Sequence, residues 1–370
     1  DQNLVTAYYE QTNFGFQYEI AKDLIWETNY VGTFGRKLLG IKNLNTFDGR
    51  LSGGPNPDNP LGGANSGKRP NTGLSSINLR TNGFDSNYNA LQTGLRKRFA
   101  NGLQFDANYT YSKALDILSD AFTPRGAGVF GVLQPTDSFN PQLDYGPADF
   151  NIKHRFVVSY SYDLPFMKGN RWLGGWSLNG IVTAQSGVPF SPFDLSGQDA
   201  NKDGVPNDRT AFVGSGQVTN SLLSSSPANG FFNPSDFAAI SPGSPFPYDP
   251  LTAGGQLLGC PPNVNSGLWC EGAAADQIHR NTLVGPKYVD VDMGIVKKFK
   301  ISESANLSFQ ATFFNLFNHP NFGIPDANFA DCNFSSQTGG CTGTFGKSTA
   351  TFLPGQGGAR VGQLALRFDF

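Results

Sequence analysis

The feature that most constrains this chain is a period-two alternation that returns in segment after segment. In residues 103–113, Leu103, Phe105, Ala107, Tyr109 and Tyr111 hold one parity, and Gln104, Asp106, Asn108, Thr110 and Ser112 hold the other. Successive side chains of a β-strand point to opposite faces, so this is a strand with one apolar, aromatic face and one polar face. The split recurs with Phe14, Phe16, Tyr18 and Ile20, then Trp26, Thr28 and Tyr30, and later Phe156, Val158, Tyr160 and Tyr162. It appears again in Trp176, Leu178, Val182 and Ala184, in Val289, Val291, Met293 and Ile295, in Leu307, Phe309, Ala311 and Phe313, and in Leu364, Leu366, Phe368 and Phe370. With residues 88–99 this makes nine strands and an all-β, antiparallel chain.

The connections decide which solvent wets the apolar face. They run short, long, short, long: residues 21–23, then 34–87, then 100–102 with an Asn-Gly turn signal, then 114–153, a brief link, 187–285, the KISESA turn, and 319–359. A soluble sandwich has no reason to gather every long loop at one end of its hairpins. Outer-membrane barrels have short periplasmic turns and long extracellular loops, so lipid is the expected solvent of the apolar face. About ten residues at roughly 3.3 Å each, tilted near 45°, span the ~25 Å apolar band of such barrels. Trp26, Tyr30, Tyr109, Tyr111, Tyr160, Tyr162 and Trp176 hold outward parity near strand ends, which predicts an aromatic girdle at headgroup level. If the last strand descends to the periplasm, so does the first. A closed barrel has an even strand count, so the nine strands read as the C-terminal part of a larger one.

Composition narrows the class further. Only 15% of residues are charged, with 45 Gly and 24 Pro, against about 25% charged in ordinary soluble domains. The 27 Lys and Arg nearly balance 29 Asp and Glu, so nucleic acid is not an expected partner. The four cysteines fall as Cys260 with Cys270 and Cys332 with Cys341, which reads as two local disulfides and an oxidising compartment. Zinc is the rival, but neither pair has two-residue spacing and the chain holds only three His. In residues 199–209, Asp199, Asn201 and Asp203 alternate ahead of Gly204, like the start of a calcium loop, with the Val205 carbonyl and Asp208 as further ligands. Thr210 stands where such a loop carries its bidentate Glu, and a plain Asx- and Gly-rich turn is the alternative. No nucleophile elbow is evident, and His154 and His279 sit beside Arg without a matched nucleophile and acid, so an enzyme is not expected. His319, before Pro320, is expected to shape a strand exit.

The stretches NFGFQYEIAKDLIWETNYVGTFGRKL, SNYNALQTGLRKRFANGLQFDANYTYSKALD, HRFVVSYSYDLPF, GGWSLNGIVTAQSGVPFSP, DANKDGVPNDR, RNTLVGPKYVDVDMGIVKKFKI, FFNLFNHPNFG and VGQLALRFDF together resemble the barrel of Oar-like TonB-dependent outer-membrane receptors. That resemblance implies a barrel of twenty-two strands, of which residues 1–370 supply the last nine. A plug and a TonB-binding segment would lie upstream, and no plug is legible within the chain. It also implies that Leu364, Leu366, Phe368 and Phe370 are read by the barrel-assembly machinery, and that the TonB complex and a ligand at the extracellular loops are partners. The inward set, including Gln17, Glu27, Asn29, Asp106, Asn108, Asp290, Asp292 and Gln310, would seat the plug or hydrate a channel. The expected function is energised ligand passage across the bacterial outer membrane. A passive porin-like channel and a surface adhesion or structural protein are the alternatives.

Overall fold

A computed structural model describes residues 1–45, 71, 73–74, 77–119, 135, 138, 141–165, 170, 172–193, 209–212, 230–238, 280–302, 305–332, 343–351 and 358–370. Nine long strands among them form one antiparallel sheet in sequence order: β1 (Tyr8–Ala21), β2 (Leu24–Asn43), β3 (Asn78–Ala100), β4 (Leu103–Asp116), β5 (His154–Asp163), β6 (Trp176–Gln185), β7 (Tyr288–Lys300), β8 (Asn306–Phe314) and β9 (Val361–Asp369). Each strand pairs with its chain neighbour, and the sheet is open between β1 and β9.

The short turns hold this meander in register. Asp23 (φ 66) and the Asn101-Gly102 pair (φ 54 and 81) adopt positive φ, the twist that tight hairpins need. At Gly102 a Cβ would stand 2.8 Å from the Asp163 carbonyl oxygen on β5, so the turn needs glycine for space as well as for torsion. Register then carries the apolar parity from strand to strand: Tyr18 faces Trp26, Trp26 faces Leu95, Leu95 faces Ala107, Ala107 faces Val158, and Val158 faces Val182. Val182 faces Val291, Ile295 faces Ala311, and Ala311 faces Leu364. One continuous apolar face results. Its large side chains are exposed, Phe14 at 76% and Leu364 at 70%, the reverse of a soluble core.

Strands β2 and β3 are longer than alternation predicts, 20 and 23 residues, so the connection between them spans 44–77 rather than 34–87. The sequence signal breaks because the register shifts between Gly35 and Leu38, where Lys37 takes φ 55. A bulge adds one residue to one strand and swaps the faces beyond it, which erases the period in the sequence while pairing continues. The upper hairpin has its own packing: Phe84 is buried beside Gly40, where a Cβ would meet the ring at 2.2 Å. Likewise β4 runs to Asp116, and Gly146–Pro147 pairs back onto it within the expected 114–153 loop. Inside 187–285, Phe190 pairs with Leu283 and Phe212 with Phe237.

Candidate functional site

The inner face of the sheet is a polar wall. Gln17 lies opposite Glu27, Asn29 opposite Gln92, Asn108 opposite Gly94, and Asp290 opposite Thr183. Arg96 Nε donates to Asp106 Oδ2 at 2.9 Å, and Asn108 Nδ2 to Asp106 Oδ1 at 2.5 Å. Near the long-loop end, Tyr288 Oη donates to Asp290 Oδ2 at 3.2 Å, and Asp292 Oδ1 accepts the Asn315 amide at 2.9 Å.

On the outer face the predicted aromatics fall at both ends of the strands. Trp26, two residues past its turn, packs edge-on against Phe16 at 5.0 Å and donates Nε1 to Thr93 Oγ1 at 2.9 Å. Tyr160, Tyr162 and Trp176 sit towards the short-turn end of β5 and β6. Tyr30 donates to Asn89 Oδ1 at 2.7 Å, and Tyr109 Oη meets His154 Nδ1 at 2.8 Å with Tyr111 beside the imidazole at 5.1 Å. A residue that alternation alone did not single out is Lys297, which is on outward parity yet buried. Its Nζ donates to the Gly174 carbonyl and lies over the rings of Phe299 (4.7 Å) and Trp176 (5.5 Å). A base at 297 on the outward parity, after Val289, Val291, Met293 and Ile295, was the available signal.

At the long-loop end the chain builds a second body with a conventional core. Phe190, Phe193, Phe231, Phe232, Phe237, Leu283, Ala327 and Phe345 are buried together. Phe232 meets Phe237 and Phe345 edge-on, each at 5.0 Å, the geometry ring quadrupoles favour. Backbone bonds stitch the two longest loops into it: the Phe193 amide donates to Ala327 O at 2.9 Å, Phe329 to Phe193 O at 2.8 Å, and Phe231 to Gly346 O at 2.6 Å.

A buried charge knot joins the 114–153 loop to this body. Arg280 Nη1 reaches Asp116 Oδ1 at 2.6 Å, and its Nη2 reaches Ser119 Oγ at 2.7 Å and Asp149 Oδ1 at 3.1 Å. Asn281 Nδ2 adds bonds to Pro147 O and Asp149 Oδ1, both at 2.7 Å, and Arg209 pairs with Asp144 at 2.6 Å. Burial alone would lower the Arg280 guanidinium, but Asp116 and Asp149, with Asp144 behind them, hold it above the ordinary arginine value. Farther out, burial and then the neighbouring Asp326 push the Asp331 carboxyl up. The expected strand-exit role of His319 has a geometry: Asn315 Oδ1 accepts its amide at 2.8 Å, and Asn315 Nδ2 donates to its carbonyl at 2.9 Å.

Of the remaining predicted site residues, Cys332 packs against the phenylalanine core and carries a disulfide whose partner is outside the described residues. Cys260, Cys270, Cys341 and the calcium set Asp199, Asn201, Asp203, Val205 and Asp208 also lie outside them. Leu364, Leu366, Phe368 and Phe370 share the outer face and are exposed. Among the described residues, no group of three or more His, Cys, Asp and Glu side chains converges as metal ligands would.

An open antiparallel sheet with its apolar face outward, its polar face inward and its long loops at one end is part of an outer-membrane barrel. The chain belongs to the outer membrane beta barrel domain family, which it matches over residues 1–363. It is therefore a protein of the bacterial outer membrane. No curated protein matches the chain. Among solved structures, the outer membrane transporter YddB from Escherichia coli aligns with 100% of this chain and 33% of its own at 10% identity and a TM-score of 0.44. A mutant of the ferric enterobactin receptor PfeA from Pseudomonas aeruginosa aligns with 100% of this chain and 32% of its own at 13% identity and a TM-score of 0.43. FpvA of P. aeruginosa, solved with a pyoverdine–iron complex, aligns with 98% of this chain and 27% of its own at 9% identity and a TM-score of 0.40. The chain thus spans about a third of the length of these proteins or less.

Proposed function

We propose that the chain is the C-terminal portion of an Oar-like TonB-dependent receptor that takes a ligand at its extracellular loops and passes it inward when the inner-membrane energy complex acts on a plug. The observation that carries this reading is the fused loop body: the 187–285 and 319–359 connections share one phenylalanine core, and the Arg280 knot ties the 114–153 connection to it beside the mouth of a polar wall. Loops fixed to each other can present a preformed binding surface, which lowers the ordering cost of capture. The full barrel in this reading has twenty-two strands, and the polar inner wall seats the plug by hydrogen bonds. Cys260 pairs with Cys270 and Cys332 with Cys341 to pin loop tips, and the 199–208 loop holds calcium. The outer aromatics form the girdle, and Leu364, Leu366, Phe368 and Phe370 are the barrel-assembly signal.

The polar wall also favours a second reading, a passive channel. The two differ in energy dependence. For the full-length protein in cells, solute uptake attributable to it is expected to vanish when the inner-membrane energy complex is deleted. The purified protein is expected to stay closed in planar bilayers. Steady conductance with uptake indifferent to the deletion would favour the passive channel. Cell attachment lost on loop deletion, with uptake intact, would favour the adhesion alternative.

A further inference from the structure

We infer that the outer end of the lipid face of β4–β7 is a binding site for a phosphate-bearing lipid headgroup of the outer leaflet, formed by Lys113, His154 and Lys287. The inference rests on the membrane barrel alone and is independent of how, or whether, a ligand crosses it.

The first observation is a segregation of charge between the two faces of these four adjacent strands. Every carboxylate in them, Asp106, Asp116, Asp163, Asp290 and Asp292, lies on the lumen parity. The ionisable side chains on the lipid parity of these strands, tyrosines aside, are all bases, Lys113 and His154 at the long-loop end and Lys297 at the other, and Lys287, the residue just before β7, continues that parity. A lipid face has no need of charge, and a base there costs least at the interface, where an anionic headgroup can answer it.

The second observation is convergence. Tyr111 lies opposite His154, and Lys113 follows two residues farther out along the same face of β4. His154 is tied to Ser186, whose amide donates to the His154 carbonyl at 2.9 Å while Ser186 Oγ accepts the His154 amide at 3.1 Å. Tyr288 faces Gln185, so Lys287 comes opposite Ser186 in the same row. At about 4.8 Å between strands, Lys287 stands roughly 10 Å from His154, and Lys113 roughly 7 Å beyond the Tyr111 position. Both lysines and the imidazole are exposed. Two four-carbon stems at that spacing can reach one phosphorylated headgroup from either side. Tyr109 occupies His154 Nδ1 at 2.8 Å, so Nε2 is the ring nitrogen left to meet a headgroup.

The opposite end of the face shows the contrast. Lys297 is 2% exposed and spends its ammonium on the Gly174 carbonyl and on the Trp176 and Phe299 rings. It is a tether for the backbone at Gly174 and offers no charge to a lipid.

The test uses full-length protein reconstituted in phosphatidylcholine bilayers, with spin-labelled phosphatidic acid and spin-labelled phosphatidylcholine as probes of the lipid shell. The wild type is expected to hold phosphatidic acid severalfold more tightly than phosphatidylcholine. Lys113→Gln and Lys287→Gln should each lower that preference by roughly fivefold or to parity, whichever comes first. The double Lys113→Arg, Lys287→Arg variant should keep it, as should Lys298→Gln on the lumen face. Heat-modifiable migration of each variant reports that the barrel has formed. Equal retention of both lipids by the wild type, or a preference untouched by the double Gln variant or lost equally in Lys298→Gln, overturns the assignment.

Discussion

The sheet and the loop body are built from the same residue types used in opposite ways. In the sheet, Phe14, Phe16, Leu364 and Leu366 are exposed and the polar side chains turn inward. In the loop body, Phe232, Phe237 and Phe345 are buried, and Arg209 and Arg280 are sequestered with their aspartates. Between its neighbouring strands the sheet satisfies its backbone groups by pairing and leaves its apolar face to lipid, so its membrane-spanning part needs no three-dimensional core. The body stands in water and must exclude it, so it is held by contacts between residues far apart in sequence. The difference teaches that apolar exposure has meaning only once the local solvent is known.

That contrast can be attacked from both sides. The largest effect is expected from Arg280→Ala, which strands Asp116 and Asp149 in a buried site and should cost the loop body about 3–5 kcal/mol. Limited proteolysis of intact cells should then cut the loops quickly, while the barrel keeps its heat-modifiable migration. If the barrel were lost with the loops, the two regions would not be separable.

Next comes a pair of neighbours on β6. Val182→Arg puts a charge on the lipid face and should destabilise the folded barrel by roughly 2–4 kcal/mol in urea titrations of liposome-reconstituted protein. Thr183→Lys, one residue along and opposite Asp290 on the lumen face, should stay within about 0.5 kcal/mol of wild type. Equal penalties would mean that the two faces do not meet different solvents. A smaller loss, about 1–3 kcal/mol, is expected for Gly40→Ala, because the new methyl must displace the Phe84 ring; proteolysis near the upper β2–β3 hairpin would report it.

The smallest effect concerns pH. The folded-state pKa of Asp331 is raised, so the carboxyl favours the body fully only below its unfolded-state value. That contribution fades as pH rises through the raised one. Asp331→Asn should therefore flatten the loop body's protease resistance between acid and neutral pH, changing the neutral half-life by less than about twofold. A pH profile identical to the wild type would remove the raised Asp331 carboxyl from the account.

How much of this was legible in the sequence follows the same division. Strand identity, order and outward parity follow from period two, because each strand's faces are written in its own residues. Eight of the nine strands can be read that way; residues 88–99 mix apolar and polar side chains on both parities. Legibility failed at Lys37, where a bulge with positive φ shifted the register and hid the upper halves of β2 and β3. It failed more completely in the loop body. Arg280 meets Asp116 across 164 positions, and Phe193 and Phe232, 39 positions apart in one loop, meet Phe345 of another, so no local pattern announces either the knot or the core. His154 stands in the sequence at the start of a strand after a long loop, which places it at the rim, but its bond to Tyr109 required the β4–β5 register.

The central claim is that one parity of each strand meets lipid and the other meets an aqueous lumen. Its most direct test is a scan of single cysteine substitutions along β5, from Phe156→Cys to Ser161→Cys. Each is spin-labelled in the reconstituted full-length protein and read for collision with oxygen and with a water-soluble nickel chelate. The account predicts oxygen maxima at 156, 158 and 160 and chelate maxima at 157, 159 and 161. A scan in which both parities answer to the same reagent, or in which neither reagent follows a period of two, would contradict it.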